Sequence, residues 1–276
     1  MSVPYFYKNN NSRFLSLEGE DTSEFLQNLI TNDVSKVYND NIIYSCLLTP
    51  QGKFLCDFFI FKLGKKFILE VHSLFYDDFF KKLKMYKLRS KIQIYEISNY
   101  HSYSVFGKIE KDDNSIILTI DPRNKHIGYK LIQESSNPKS LKFFDVIDEK
   151  KYHEILIKNT VPLSHYDLEV NKSLLLENNF ENINSISWDK GCYVGQEITA
   201  RMKYRSLLKK KLYPLEIISG KISLNDKVIE NNLNFGEVIS KANNYIFCIL
   251  KIELAEEKIK ENSTIKINDQ TLLKFL

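Results

Sequence analysis

Residues 190–197 read Lys190-Gly191-Cys192-Tyr193-Val194-Gly195-Gln196-Glu197, and they lie between two parts of the chain that differ in sequence pattern. Two glycines bracket the cysteine, and glycine lets a backbone turn tightly or approach a ligand closely. The following residues are compatible with a short helix whose first turn holds Glu197, where a negative charge suits the helix dipole. Cys192 would then precede a helix N-terminus, close to Lys190, and both features lower a thiol pKa. The local chemistry leaves two interpretations open, a reactive thiol and a structural one.

The composition is that of an ordinary soluble globular protein, with 43% hydrophobic and 27% charged residues in a chain of 276. The formal net charge of +4 is too small for this length to indicate nucleic-acid binding by itself. No apolar run approaches the roughly 20 residues that cross a bilayer, and the first residues lack the pattern of a signal peptide. Four cysteines without close pairing argue against a disulfide framework. We therefore expect a protein of the reducing cytoplasm, without a membrane partner.

The first part of the chain has the pattern of an α+β protein with antiparallel sheet. Short apolar runs are joined by links too short for crossover connections, so neighbouring strands are expected to form hairpins. The run Asp21-Thr22-Ser23-Glu24 resembles a capping box, with Asp21 as the cap of a helix. Apolar residues spaced by three and four predict the helices. The predicted strands are residues 13–17, 42–48, 54–61, 67–71, 91–97, 102–106, 115–120 and 128–133, and the predicted helices are residues 22–31, 75–89 and 146–157.

The last part of the chain changes to short apolar runs separated by Gly, Asn and Asp turns, a pattern that indicates a small β-barrel or sandwich. The predicted domains are an α+β region with two sub-parts over residues 1–206 and a small β-barrel over residues 207–276. The predicted strands of the second domain are residues 211–214, 228–230, 237–240, 245–250, 264–267 and 272–275.

Several single residues could carry chemistry. Cys46, Cys56 and Cys248 lie in apolar strand runs and are expected to be buried, as free cysteines usually are. Asp57 interrupts a Phe-rich strand, so its carboxylate faces either solvent or a cavity. Glu177 ends an apolar run, where a surface position on a helix is the common case. The five histidines are scattered, without a paired-His or C-x-x-C motif, so no stable metal site is expected.

The segment 201–211 is basic and contains one aromatic residue, Tyr204. It could bind RNA through its positive charge. It could instead clamp an anionic ligand, with Tyr204 stacked on a ring and with Arg201 and Arg205 paired with carboxylates. A solvated surface is the third interpretation. A planar guanidinium suits carboxylates better than an ammonium does, which ranks the two arginines above the lysines.

Residues 190–197 resemble the K-G-C-Y-x-G-Q-E signature of the YgfZ family of folate-binding proteins. That family is related to the T-protein (aminomethyltransferase) of the glycine cleavage system, whose branch lacks the cysteine signature. Other segments resemble further motifs of the same family, so the resemblance extends over most of the chain. These segments are residues 17–21 with 25–27 and 31–34, residues 48–53 with Asp57, and residues 235–240.

The resemblance implies a three-part ring, in which two α+β parts with ferredoxin-like sheets and a C-terminal β-barrel surround tetrahydrofolate or a one-carbon-substituted form of it. It implies a factor that assists the assembly or repair of iron–sulfur clusters. The implied partners are iron–sulfur assembly proteins or 4Fe–4S client enzymes, and an effect on tRNA modification would be indirect. A folate-dependent one-carbon (aminomethyl) transferase is the alternative function. An RNA-binding module ranks behind both, and direct contact with nucleic acid is not expected.

The resemblance also assigns a ligand role to several residues. Glu177 is implied to hold the pterin ring, because a carboxylate can accept two hydrogen bonds from an aminopyrimidine edge. Arg201, Tyr204 and Arg205 are implied to face the folate or a partner. Asp57 is a further candidate for folate binding. Phe58 follows it where the T-protein branch has an acidic pair, which argues against aminomethyl transfer.

The signature itself receives the remaining roles. Cys192 is implied to be the reactive thiol, able to contact a cluster or to act as a transient metal ligand, with Lys190 lowering its pKa. Gly191, Tyr193 and Gly195 would shape the loop, and Gln196 and Glu197 would fix the helix start. Ser206 replaces a glycine of many members and is expected to tighten the next loop.

Overall fold

The computed structural model describes residues 3–38, 40–134, 136–205, 207–267 and 271–276, which form three β-sheets and six α-helices. The strands are β1 Tyr5–Lys8, β2 Ser12–Glu18, β3 Ile42–Leu48, β4 Phe54–Leu63, β5 Lys66–His72, β6 Gln93–Ile97, β7 His101–Phe106, β8 Ser115–Ile120, β9 Tyr129–Gln133, β10 Asp145–Val146, β11 Lys210–Ser219, β12 Lys227–Glu230, β13 Leu233–Ala242, β14 Tyr245–Lys251, β15 Ile265–Ile267 and β16 Thr271–Phe275. The helices are α1 Thr22–Leu29, α2 Ser73–Lys87, α3 Glu149–Lys158, α4 Ser164–Asp167, α5 Gln196–Tyr204 and α6 Ile252–Lys260.

The first sheet has the order β3-β4-β5-β2-β6, and each neighbouring pair is antiparallel. Helix α1 follows β2 and helix α2 follows β5. The four strands β4-β5-β2-β6 with these two helices have the ferredoxin-like arrangement, to which β3 adds an edge strand. Every residue of β3 is buried, which explains why its sequence is a continuous apolar run rather than an alternating one.

The two faces of this sheet bury different partners, because successive side chains of a strand point to opposite faces. On one face, Phe58 stacks on Phe79 of α2 with ring centroids 4.7 Å apart. On the other face, the ring of Phe59 lies 4.1 Å from Lys130 Nζ and 5.0 Å from the guanidinium carbon of Arg123. The helices therefore cover one face, and charged groups of the second sheet cover the other.

The second sheet has the order β10-β1-β7-β9-β8 and is antiparallel except for the short parallel pair β1–β10. It is tied to the first sheet by a buried ion pair. Lys130 of β9 donates to Glu70 of β5 at 2.8 Å, and these two side chains are only 2% and 4% exposed. Glu70 also accepts a hydrogen bond of 2.6 Å from Ser12 of β2. The α+β region thus consists of two sheets whose polar faces meet.

The third sheet, β12-β13-β14-β11-β16-β15, is nearly closed into a barrel. Glu230 of β12 accepts the backbone N–H of Lys266 in β15 at 3.0 Å, so a side chain bridges the two edge strands. Gly236 allows two strands to approach closely, since a Cβ there would lie 1.9 Å from Ile249 O. The first strand of this sheet begins at Lys210, shortly after the predicted domain boundary at residue 207.

The predicted α+β class and the C-terminal barrel are confirmed, but two local predictions are wrong. The Asp21 carboxylate does not cap α1, because it accepts the Lys91 N–H at 2.6 Å instead. Helix α3 starts later than predicted, at Glu149, because the side chain of Asp148 caps it by accepting from Lys151 N at 2.7 Å. Helix α6 was not predicted, although its Glu and Lys residues favour helix.

The chain shows no membrane-spanning helix in the described ranges, because none of the six helices is both long and apolar enough. The predicted effect of Ser206 lies outside the described residues.

The stacking of Phe58 on Phe79 gives a test of the helix-covered core. Phe58→Ala should lower the free energy of unfolding by about 3–5 kcal/mol, because a side chain that is 1% exposed leaves a cavity. Urea denaturation followed by circular dichroism measures the change. Phe143→Ala is the control, since Phe143 is 82% exposed and its loss should change stability by less than about 0.5 kcal/mol. Equal effects of the two substitutions would contradict the assigned packing.

Candidate functional site

A pocket opens between the polar faces of the first two sheets. Aromatic side chains, including Phe59, Phe75 and Tyr152, form much of its wall, and three carboxylates and two cations reach it. This combination of an apolar wall and a few convergent polar groups is typical of sites for small organic ligands.

The floor of the pocket carries polar atoms without a partner. Phe59 pairs with Glu70 across β4 and β5, and Asp57 and His72 lie two residues further along these strands on the same face. Asp57 Oδ1, Glu70 Oε2 and His72 Nε2 are buried, and none has a hydrogen-bond partner among the described residues. Buried polar atoms are rarely left unsatisfied, so this floor is suited to a bound group that donates and accepts hydrogen bonds.

Asp57 is held in place by Tyr44 of the neighbouring strand. The Tyr44 hydroxyl donates to Asp57 Oδ2 at 2.5 Å, which leaves Oδ1 directed to the pocket. Burial and the adjacent Asp57 charge raise the pKa of Tyr44 well above its ordinary value, so the phenol stays protonated and keeps donating. The sequence allowed the Asp57 carboxylate to face either solvent or a cavity, and in the structure it faces the pocket.

The wall opposite the floor contains Arg123, whose side chain donates three hydrogen bonds to two residues. Its Nε and Nη2 donate to the two oxygens of Asp121 at 3.0 and 2.8 Å, and Nη2 also donates to the Tyr152 hydroxyl at 2.9 Å. The paired Asp121 raises the pKa of Arg123 against the opposing effect of its burial. The guanidinium is therefore a permanent, pre-positioned charge.

Two stacked histidines form one side of the pocket. The rings of His72 and His165 lie 4.0 Å apart with an angle of 13° between their planes. Burial lowers the pKa of His72 to about 4, and the neighbouring His165 contributes to this shift. Burial also lowers the pKa of His165, although the adjacent Glu149 opposes the shift. Both rings are therefore neutral near pH 7.

The loop that holds Cys192 lies next to α1 rather than in this pocket. Cys192 is exposed, whereas Cys46, Cys56 and Cys248 are buried as predicted. Burial raises the pKa of Cys46 and of Cys56, which keeps both as inert thiols. The one cysteine of the signature is thus also the accessible one.

Lys190 anchors the Cys192 loop to the end of α1. Its ammonium donates to the carbonyls of Gln27, Ile30 and Asn32 at 2.6, 2.7 and 3.0 Å. These three bonds use all three of its N–H donors, and burial lowers its pKa to about 8. Its charge is directed to the carbonyl end of a helix, where a cation is favourable, and its predicted effect on the Cys192 thiol stays a prediction.

Gly195 is in close contact with the β3–β4 turn. Its φ of +83° is unfavourable for other residues, and a Cβ would lie 2.5 Å from Thr49 O and 3.1 Å from the Cα of Gly52. Gly191 differs, because a Cβ there would meet no described atom within 4 Å. The contacts of the described residues therefore require glycine at position 195 and not at position 191, where the predicted role in the loop stays a prediction.

The start of α5 is formed without a side-chain cap. Gly195 is the residue before the helix, and the Gln196 N–H binds Tyr193 O at 3.2 Å. Tyr193 is buried, with Lys190 Nζ 5.0 Å from the centre of its ring. Glu197 is exposed and pairs with Arg201 at 3.0 Å, one helical turn later. The loop and helix start are therefore a packed unit with a polar outer face.

The other predicted ligand residues do not belong to the pocket lining in the described part of the chain. Glu177 lies 3.6 Å from Lys210 Nζ, at the junction with the barrel. Tyr204 is 69% exposed, and its ring meets the edge of Trp188 at 6.0 Å. Arg205 is exposed, and Arg201 is engaged by Glu197. Only Asp57, of the residues predicted to bind folate, is among the described residues that line the pocket.

The residues that sequence reasoning missed come from separate elements. Glu70 and His72 carry a usable signal, since both interrupt the apolar strand Phe-Ile-Leu-Glu-Val-His. Lys130 gives a similar signal within β9. Glu149 and His165 give none, because a helix start and a short helix hold polar residues in any protein.

The sequence matches one family model and is similar to several named proteins. Residues 10–108 match the model of the GCVT N-terminal domain. The chain is 31% identical over 225 residues to the mitochondrial iron–sulfur cluster assembly factor IBA57 homolog of Neurospora crassa, with 73% of this chain and 51% of that protein covered. It is 27% identical over 225 residues to the mouse factor IBA57, with 73% and 63% covered. The chain thus spans about half to two thirds of the length of these relatives.

A solved structure has the same fold over nearly the whole chain. The crystal structure of glycine cleavage system aminomethyltransferase T from Bartonella henselae superposes with a TM-score of 0.74 and 10% sequence identity. The match covers 99% of this chain and 85% of that one. At this identity the likeness shows the fold alone.

The contact between Gly195 and the β3–β4 turn predicts different outcomes for the two glycines of the signature. Gly195→Ala should lower the free energy of unfolding by at least about 1–2 kcal/mol, because of its left-handed backbone, and the Cβ contact adds to this cost. Gly191→Ala is the matched control and should be nearly neutral. Thermal unfolding measures stability, and hydrogen exchange over residues 48–54 and 190–197 localises the change. If the two variants behave alike, the assigned contact is wrong.

Proposed function

Since the chain belongs to the T-protein-related family that includes the IBA57 factors, we propose that it assists the assembly or repair of iron–sulfur clusters. The observation that carries this proposal is the exposed thiol of Cys192 on a loop that Lys190 and Gly195 fix in place. The proposed partners are iron–sulfur assembly proteins or 4Fe–4S client enzymes, with any effect on tRNA modification arising through such enzymes. The cytoplasmic location stays a prediction, and the relatives above are named mitochondrial proteins.

The proposed role of Cys192 follows from access and position. A thiolate is the form of cysteine that binds metals and attacks electrophiles, and it must be reachable to do either. Cys46, Cys56 and Cys248 are buried, so they do not compete for a cluster or a partner. Because the loop on both sides of Cys192 is anchored, the thiol is presented at a defined place, which favours contact with a partner protein.

We propose that the pocket between the two sheets holds tetrahydrofolate or a one-carbon-substituted form. The residues fit the group: a pterin ring presents N–H donors and ring acceptors, and the floor offers unpaired oxygens of Asp57 and Glu70 and the unpaired Nε2 of His72. The flat ring suits the aromatic wall at Phe59. When bound, tetrahydrofolate supplies a carrier for a one-carbon unit. Asp57 would orient it, with Tyr44 holding the carboxylate in place.

The alternative function, folate-dependent aminomethyl transfer, is favoured by one observation. Asp57 presents a carboxylate oxygen to the pocket in a fold shared with an aminomethyltransferase. In that case turnover with a one-carbon donor would depend on Asp57 and survive removal of the Cys192 thiol. The cluster-assembly function requires the thiol, so substitution of Cys192 distinguishes the two functions.

Asp57→Asn is expected to weaken tetrahydrofolate binding by about tenfold or more, because a hydrogen bond to a charged group contributes about 1.5–3 kcal/mol. Anaerobic fluorescence titration of the purified chain measures the dissociation constant. Glu177→Gln is the comparison, since this carboxylate was predicted to hold the pterin but does not line the pocket within the described residues. Loss of affinity in Glu177→Gln alone would place the pterin outside the pocket and contradict the proposal.

Cys192→Ala should abolish the cellular function without changing folate affinity. In cells that lack the gene, the wild-type chain should restore 4Fe–4S enzyme activity, and Cys192→Ala should leave it near the level of the deletion strain. Gly191→Ala is the control, because it changes the same loop at a position with free space. Full restoration by Cys192→Ala would refute the role of the thiol.

A further inference from the structure

Three elements bring His72, Glu149 and His165 together at one side of the pocket. His72 precedes α2, Glu149 is the first residue of α3, and His165 lies in α4. One ligand atom from each residue lies within 4.8 Å of the other two. We propose that this cluster binds one divalent transition-metal ion. The proposal concerns the chain without folate, because the proposed pterin site uses the same His72 Nε2, and its test is metal binding by the isolated chain.

Glu149 is oriented as a ligand carboxylate needs to be. Its Oε1 lies 3.2 Å from His165 Nε2 and accepts the Tyr7 hydroxyl at 3.2 Å. Its Oε2 accepts the Tyr166 hydroxyl at 3.0 Å. The hydroxyls of Tyr7 and Tyr166 thus orient the carboxylate, as hydrogen-bond partners of metal ligands commonly do.

The charges around the cluster favour a cation. Lys130 is paired with Glu70, and Arg123 is paired with Asp121, so these cations are already compensated. Asp57 and Glu149 then leave the pocket with uncompensated negative charge. A phosphate or sulfate would be repelled here, whereas a divalent cation would neutralise the two carboxylates.

His72 provides an atom that the fold leaves unused. Its Nδ1 accepts the Leu74 N–H at 3.2 Å, so the neutral ring carries its proton on Nε2, which is buried and unpartnered among the described residues. To bind a metal through Nε2, the ring proton moves to Nδ1 and the Leu74 contact is released, with no net loss of a proton. The two imidazoles lie nearly parallel at 4.0 Å, so one ring must also turn towards the ion.

The donor set defines the class of ion. Two imidazole nitrogens and one carboxylate suit zinc, ferrous iron, cobalt or manganese, whereas calcium and magnesium prefer oxygen donors. Three protein ligands leave further coordination positions open to water or to a ligand in the pocket. The sequence did not predict this site, because the three residues are far apart along the chain.

Cobalt(II) is a suitable probe, because its visible absorption reports nitrogen and oxygen ligands and differs from that of thiolate ligands. The 276-residue chain should bind one equivalent of cobalt(II) or zinc(II) that is retained after desalting. His165→Gln and Glu149→Gln should each weaken binding by more than the roughly 10–100-fold that loss of an outer-shell partner costs. The melting temperature of each metal-free variant, compared with that of the wild type, checks folding.

Two controls decide the location. His126→Gln removes an exposed histidine that does not line the pocket in the described part of the chain, and it should bind cobalt(II) as the wild type does. Cys192→Ala should do the same. If the wild type retains no metal, if His126→Gln is as weak as His165→Gln, or if Cys192→Ala loses the metal, the proposed site is wrong.

Discussion

The ion pair between Lys130 and Glu70 determines how the α+β region is assembled. It joins a strand of one sheet to a strand of the other, and both side chains are almost completely buried. A buried charge is strongly destabilising unless an opposite charge compensates it. Removal of one partner of a buried pair therefore costs about 3–5 kcal/mol. Because Ser12 also binds Glu70, three strands meet at this point. The distance between the sheets, and therefore the width of the pocket, depends on it.

The pocket and the Cys192 loop are separate features that share one strand. Strand β4 carries Asp57 to the pocket floor, and the turn that precedes β4 contacts Gly195. Cys192 is not one of the described residues that line the pocket. A small ligand and a protein-facing thiol can therefore be present together, which suits a factor that binds a cofactor and a partner at different places.

Much of the fold follows from local sequence pattern, because hydrophobic periodicity reports on burial directly. The runs at residues 42–48 and 115–120 coincide with β3 and β8 to the residue. Cys192 could also be singled out from the sequence, since glycine precedes it and the other three cysteines lie in apolar strand runs. The true partner of the Asp21 carboxylate could not be predicted, because it accepts a hydrogen bond from the backbone N–H of a residue seventy positions away. The contacts of Lys190 were not predictable for the same reason: its acceptors lie near residue 30, and sequence proximity to Cys192 says nothing of where a long side chain points.

The anchors of the signature loop connect segments that are far apart in the chain, since Lys190 binds carbonyls 158 to 163 residues away. Such long-range contacts close a long loop, which costs chain entropy. Cys192 therefore reaches its final position only when the end of α1 and the signature loop have come together. A nascent or partly unfolded chain would carry the same cysteine without its surroundings, so only the completed molecule can offer a correctly placed thiol to a partner.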